Sequence, residues 1–270
     1  MKLSKKEQRT ASLYGEIHII GEQDYFESAS NNVLTAENLE VPKDFLNGKR
    51  CLDAGTGGKG VALRGLFRLG SRDITAIDLS EDNIRNAQRT NEKIAKSIKF
   101  ETKNILEMDY PDKSFDFIYC NGVIHHTESP DTAVKQFYRC LSPGGHICVG
   151  LYGKGGILYS TAKILRSIAK IIPYKIAFRL VKLLFNKNAS VLLLDYLYVP
   201  YQFHYKECEA KELLSKHGFE NIQRLKQPPP LLKSVWCSLL KPSYYDPSTM
   251  LGKIMVGSGW IILMAQRPDS

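Results

Sequence analysis

A chain of 270 residues with 43% hydrophobic and 24% charged side chains can bury a sizeable core, which excludes a wholly disordered protein. Its six cysteines form no C-x-x-C pair and several lie in apolar, strand-like runs, so they read as buried thiols of a reducing compartment and not as a disulfide framework. Of the net charge of +9, Lys154, Lys163, Arg166, Lys170, Lys175, Arg179, Lys182 and Lys187 supply +8 in a stretch without a single acid, leaving +1 for the rest, which disfavours a whole-surface nucleic-acid binder.

No apolar run is long enough to cross a bilayer, and residues 1–16 are polar with no apolar segment behind them, so a cytoplasmic protein is expected. In chain order, residues 35–47 read as a short helix ending at the Asn47-Gly48 turn. Residues 49–53 read as a first strand, running into the glycine-rich stretch LDAGTGGKG at 52–60. A helix carrying Val61, Leu63, Leu66, Phe67 and Leu69 follows. Next come a second strand at 74–77 with Asp78 at its tip, and a helix over 81–95 with Ser80 as its N-cap. Strands at 98–101, 115–120 and 147–151, with a helix over 130–141 and a Pro143-Gly144-Gly145 turn, continue the alternation that builds a parallel sheet covered on both faces.

The rhythm breaks at Gly153. Residues 157–185 read as two amphipathic helices split by Pro173, each with a basic stripe opposite an Ile/Leu/Phe face. A helix over 206–216 closed by Gly218, a strand at 219–225, an irregular stretch from Pro228-Pro229-Pro230 and a last strand at 260–264 complete the chain.

Four blocks at ordered spacing carry a resemblance: LDAGTGGKG, AIDLS at 76–80, PDKSFDFIYCNGVIHHTESP at 111–130 and LSPGGH at 141–146, joined by YKECEAKELLSKHGF at 205–219. They resemble the class I S-adenosylmethionine-dependent methyltransferases of small-molecule type. The resemblance implies an α/β fold, a doubly wound Rossmann-like seven-stranded mostly parallel sheet with an antiparallel last strand. A helical cap is expected after strand 5. It divides the chain into an N-terminal helical segment over the cofactor site (1–47), a cofactor-binding core (48–152), a basic helical cap (153–199) and the remainder of the core (200–270). The implied cofactor is S-adenosyl-L-methionine, with S-adenosyl-L-homocysteine as product.

On that resemblance Asp53, Gly55, Thr56 and Gly57 form the loop that orients the methionine moiety, and Lys59 departs from the family's last loop glycine. Asp78 and Leu79 take the ribose, and Asn104 with Ile105 the adenine. Asn121 contacts the methionine amine through its main chain. Chemistry supports the acceptor positions, because a carboxylate at Asp78 has lone pairs for both ribose hydroxyls and Asn104 accepts through its amide oxygen. His126 is the candidate general base, imidazole titrating near neutrality, against the alternative that it packs or caps the following loop. His125 and His126, being adjacent, make a poor joint metal site, and no metal is expected.

The expected function is methyl transfer to a small organic acceptor, hydrophobic or lipid-like, under a lid lined by aromatics such as Tyr152, Tyr159, Tyr198, Tyr201, Phe203 and His204. Alternatives are an NAD-dependent oxidoreductase, favoured by Gly55, Gly57, Gly60 and Asp78, and a non-catalytic cofactor-binding scaffold. The basic cap is read as solvated lid surface, as a contact for an anionic membrane surface or lipid-like substrate, or, least favoured, as an RNA contact. Oligomeric state is left open.

Overall fold

A computed structural model of the chain describes residues 3–20, 34–169, 171–184, 187–226 and 247–269. Lys170, Pro228-Pro229-Pro230, the side chain of Lys187 and one of the six cysteines, Cys237, lie outside the described residues.

The strands are β1 (Arg50–Ala54), β2 (Asp73–Asp78), β3 (Ile98–Thr102), β4 (Phe115–Asn121), β5 (Leu141–Tyr152), β6 (Glu220–Arg224) and β7 (Trp260–Gln266). The α-helices are α1 (Lys5–Ile20), α2 (Ala36–Leu39), α3 (Leu63–Arg68), α4 (Glu81–Thr90), α5 (Pro130–Cys140), α6 (Gly156–Ala169), α7 (Tyr174–Leu184), α8 (Lys187–Tyr198), α9 (Glu207–Ser215) and α10 (Met250–Val256).

The strands form one sheet in the order β3-β2-β1-β4-β5-β7-β6. The first five are parallel, and β7 runs antiparallel to both β5 and β6. Composition explains why the last strand enters the sheet ahead of β6. WIILMAQ is an almost unbroken apolar run suited to burial on both faces, whereas the polar ENIQR of β6 suits an edge.

Successive residues point to opposite faces, so Cys51 and Leu52, or Phe117 and Ile118, feed two separate cores. One lies under α5 and α9 around Phe137, Val149 and Leu214, the other under α2 and α3 around Leu39, Leu66 and Phe117. A third cluster, Leu13, Ala169, Ala177, Leu194, Tyr198 and Val199, joins α1 to α6, α7 and α8 away from the sheet. Strand order reverses between β1 and β4, so their carboxyl ends open the crevice in which doubly wound sheets bind ligands.

Several expected elements are shorter. The helix expected over 35–47 is only α2, because Glu40 turns left-handed (φ 56°) and Pro42 follows. The helix after the glycine stretch starts at Leu63, since Gly57 and Gly60 hold positive φ and keep 57–62 in turns. The helix expected over 81–95 stops at Thr90 and passes into a 3-10 segment, Glu92–Ser97. Pro143-Gly144-Gly145 lies within β5 as an irregularity in its pairing with β4. Helices α8 and α10 were not expected.

The basic stripes do not simply face solvent with the apolar side inward. In α6 the isoleucine side is turned outward: Ile164, Leu165 and Ile168 are each more than half exposed. Arg166 points inward and donates to the carbonyl oxygens of Tyr196 (2.8 Å) and Val199. Those carbonyls close the C-terminal end of α8, where no intrahelical donor is available, so a guanidinium is held there in preference to an isoleucine. In α7 the inward stripe is Tyr174, Ala177, Phe178 and Val181, while Ile176, Leu180, Leu183 and Leu184 are exposed beside Lys175, Arg179 and Lys182.

The chain leaves β5 for these helices at Gly153, where a Cβ would lie 1.9 Å from the carbonyl oxygen of Gly259. Gly153→Ala is therefore expected to force β5 and the segment before β7 apart. The predicted loss is roughly 1–3 kcal/mol of stability, read as a lower urea midpoint at unchanged slope.

Candidate active site

The glycine stretch bends at the end of β1 because the amides of Gly55 and Thr56 both donate to the carbonyl of Ile77, at 2.8 and 2.9 Å. Gly55 has φ 87°, and a Cβ there would lie 2.3 Å from the side chain of Val123, so this position needs glycine for conformation and for space. Thr56 Oγ1 donates to Asp53 Oδ2 at 2.6 Å. Burial pushes the Asp53 carboxyl up to about 7; the Thr56 bond opposes the shift and the charge of Asp78 adds to it.

Asp78 organises the neighbouring turn. Its Oδ2 accepts from the Gly57 amide at 2.9 Å, and its Oδ1 from the Ser80 amide at 2.9 Å and Asn83 Nδ2 at 3.1 Å. A carboxylate offers roughly four lone-pair sites, so this bonding leaves one, on Oδ2. One ribose bond fits without rearrangement, and the second of the expected pair requires an internal donor to yield. Leu79 beside it is half-buried, and Ile105 is buried in the core.

Asn104 differs from expectation. Its Oδ1 accepts from the Leu106 amide at 3.0 Å and its Nδ2 donates to Glu7 Oε1 at 2.6 Å, so both ends of the amide already have partners. The short turn after β3 needs the first bond, and α1 supplies the second. Asn121 is the last residue of β4, its Oδ1 accepting from Trp260 Nε1 at 3.2 Å. The set fits a nucleoside cofactor: an acceptor-only carboxylate with a remaining lone pair stands beside glycine backbone at the switch point of the sheet.

Beyond the end of β4, His125 and His126 sit in a single 3-10 turn, Ile124–His126. His126 Nδ1 lies 3.0 Å from the carbonyl oxygen of Tyr201. A carbonyl only accepts, so Nδ1 carries the proton and the neutral ring presents a bare Nε2. That nitrogen is 3.8 Å from Asp195 Oδ1. Burial lowers the His126 pKa, with Asp195 and the Tyr201 carbonyl opposing.

Asp195 also accepts from Tyr14 and Tyr152, both at 2.6 Å. Burial, together with the Asp195 charge, raises both phenols well above their ordinary range, so they stay protonated and donate. Three elements meet at this carboxylate: α1, β5 and α8. Gly15, next to Tyr14 in α1, packs on the turn after Asp78: a Cβ there would lie 3.2 Å from Ser80 Oγ.

Around them, Tyr152 packs against His125 (ring centroids 4.1 Å), Trp260 (5.0 Å), His204 (5.6 Å) and Tyr196 (5.8 Å). Burial lowers His204 to about 4. His125 is fully buried and neither ring nitrogen has a hydrogen-bond partner. Of the aromatics expected to line a pocket, Tyr152, Tyr159 and His204 meet here, while Tyr198 instead donates to Ala169 and Ile172 within the cap, and Phe203 is exposed.

Asp195, Tyr14, Tyr196 and Trp260 were missed as site residues. Asp195 did leave a sequence signal, as the lone acid between Asp131 and Glu207. Tyr14 and Trp260 left none, being brought in from opposite ends of the chain. Among the described residues no helix is long and apolar enough to cross a membrane, and no three His, Cys, Asp or Glu side chains gather as a metal site.

Strand order, the antiparallel β7 and the carboxylate-bearing tips of β1 and β2 define a Rossmann-like fold of the class I methyltransferase type. Residues 52–149 match the methyltransferase domain family, and over these residues the chain carries an S-adenosylmethionine-dependent class I methyltransferase domain. It is similar to phosphoethanolamine N-methyltransferase 2 of Caenorhabditis elegans, 31% identical over 123 residues, covering 44% of this chain and 28% of that one. It is also similar to the ubiquinone/menaquinone biosynthesis C-methyltransferase UbiE of Hydrogenovibrio crunogenus, 24% identical over 154 residues, covering 56% and 58%. The chain thus spans between about a quarter and three-fifths of these relatives' lengths. In fold it is similar to Haemonchus contortus phosphoethanolamine N-methyltransferase 2 in complex with S-adenosyl-L-methionine, with TM-score 0.62 and 18% identity, covering 99% of this chain and 60% of that one. The domain match sets aside the NAD-dependent oxidoreductase.

Proposed function

We propose that this chain transfers a methyl group from S-adenosyl-L-methionine to a small organic acceptor of hydrophobic or lipid-like character, leaving S-adenosyl-L-homocysteine. The observation that supports the reading is the meeting of a bare His126 Nε2 with the half-buried Asp195–Tyr14–Tyr152 cluster, Tyr14 lying on the helix α1 that packs on the turn after Asp78. In this reading Asp53, Gly55, Thr56, Gly57, Asp78, Leu79, Asn104, Ile105 and Asn121 hold the cofactor. Residues 153–199 roof the acceptor.

Bound S-adenosyl-L-methionine supplies an activated methyl on a sulfonium. The protein's share is positioning and a destination for the acceptor's proton. His126 takes that proton at Nε2 while its Nδ1–H stays on the Tyr201 carbonyl, and the nearby Asp195 stabilises the resulting imidazolium. Tyr14 and Tyr152 hold the carboxylate in place and, with Trp260, keep the reacting region dry.

The test is thermal melting with S-adenosyl-L-homocysteine or NAD, followed by mass spectrometry of small-molecule and lipid extracts incubated with the protein and methyl-labelled cofactor. A higher midpoint with S-adenosyl-L-homocysteine alone and a labelled product are expected. A midpoint shift without a labelled product would favour the non-catalytic scaffold.

A further inference from the structure

We infer that the outward faces of α6, α7 and α10 form a docking surface for an anionic lipid bilayer. In α6 the exposed residues Ile157, Ile164 and Ile168 recur at helical spacing, and Ile171 just beyond is 81% exposed. In α7, Ile176, Leu180, Leu183 and Leu184 form a second outward stripe. Both helices rest on α8, so these stripes face away from the helix beneath them. α10 packs beside α6 and adds exposed Met250, Leu251 and Ile254.

An apolar face this extended marks a protein or lipid contact, and charge decides between the two. Lys163, Lys175, Arg179, Lys182 and Lys253 are exposed on the same three helices, and no acid occurs from residue 132 to 194. A helix with outward Leu and Ile flanked by Lys and Arg and no carboxylate suits the boundary between acyl chains and anionic headgroups. No described helix is long and apolar enough to span, so the contact is interfacial. This inference does not depend on methyl transfer, because the surface is complete without cofactor or acceptor.

Co-sedimentation of the full chain with vesicles tests it. Phosphatidylcholine vesicles containing phosphatidylglycerol should pellet the protein at low salt, with partitioning falling about tenfold or more at high salt, and pure phosphatidylcholine should retain little. Ile164→Glu/Ile168→Glu/Leu180→Glu should lose vesicle binding while keeping the parent melting midpoint, as the three sites are solvent-exposed. Lys175→Ser/Arg179→Ser/Lys182→Ser should weaken binding selectively on anionic vesicles, and supplies the answer if the first variant does not fold. Failure to pellet with anionic vesicles at low salt, or equal pelleting of both variants and parent, overturns the proposal. So does a stable dimer in light scattering that the glutamates dissociate, since the face would then belong to a second copy.

Discussion

Asp78→Ala is expected to abolish stabilisation by S-adenosyl-L-homocysteine and to lower the melting point of the protein itself. Each charge-assisted bond to a ribose hydroxyl is worth ~1.5–3 kcal/mol, or about 10- to 150-fold in Kd. The remaining lone pair on Oδ2 provides for one such bond, and displacement of an internal donor for a second. Removing the carboxylate also strips the acceptor from the Gly57 and Ser80 amides and from Asn83, bonds that tie together the turns after β1 and β2. Asp78→Asn retains the shape and one acceptor oxygen, so it should preserve more of the fold than of the affinity. Titration calorimetry with S-adenosyl-L-homocysteine separates the two effects. An unchanged Kd in a folded Asp78→Ala variant would remove the cofactor from this crevice.

His126→Ala should lower kcat by roughly 10²–10⁴-fold for an oxygen or nitrogen acceptor, with little change in cofactor affinity. The pH profile distinguishes a base from a packing residue. A base works only when neutral, and burial depresses the His126 pKa below its ordinary 6.5. Activity should therefore persist as pH falls through 6.5 and decline only at the lower pKa, and His126→Ala should erase that acid limb. The same sign governs stability. The unfolded chain takes up protons at its histidines near pH 6.5, while buried His125 and His126 and half-buried His204 resist, His204 down to about 4, so their contribution to stability is lost progressively as pH falls across that window. A His126→Ala variant that keeps its kcat would leave the ring a packing role alone.

The αβ alternation was legible because parallel strands buried on both faces must be apolar runs, and crossover helices must carry a 3.6-residue stripe. The glycine bend was legible for a related reason: Gly55 and Asp78 are local demands of a tight turn and a strand tip, and a short window of sequence contains them. The sixth and seventh strands were legible as strands but not in their order, which turns on the competition between WIILMAQ and ENIQR for the buried position.

What the sequence by itself determined is the five parallel strands, the glycine bend, the Asp53 and Asp78 tips and the isolated basic segment. The tertiary structure alone decided which distant residues meet around Asp195 and at the end of β4. Tyr14 and Asp195 are 181 residues apart, and Asn121 and Trp260 are 139, so no periodicity or local motif reports that they meet. It also decided which way the cap faces. An amphipathic pattern defines two sides of a helix but not which is turned inward, and in α6 the unsatisfied carbonyls of Tyr196 and Val199 drew Arg166 inward and left the isoleucines outside.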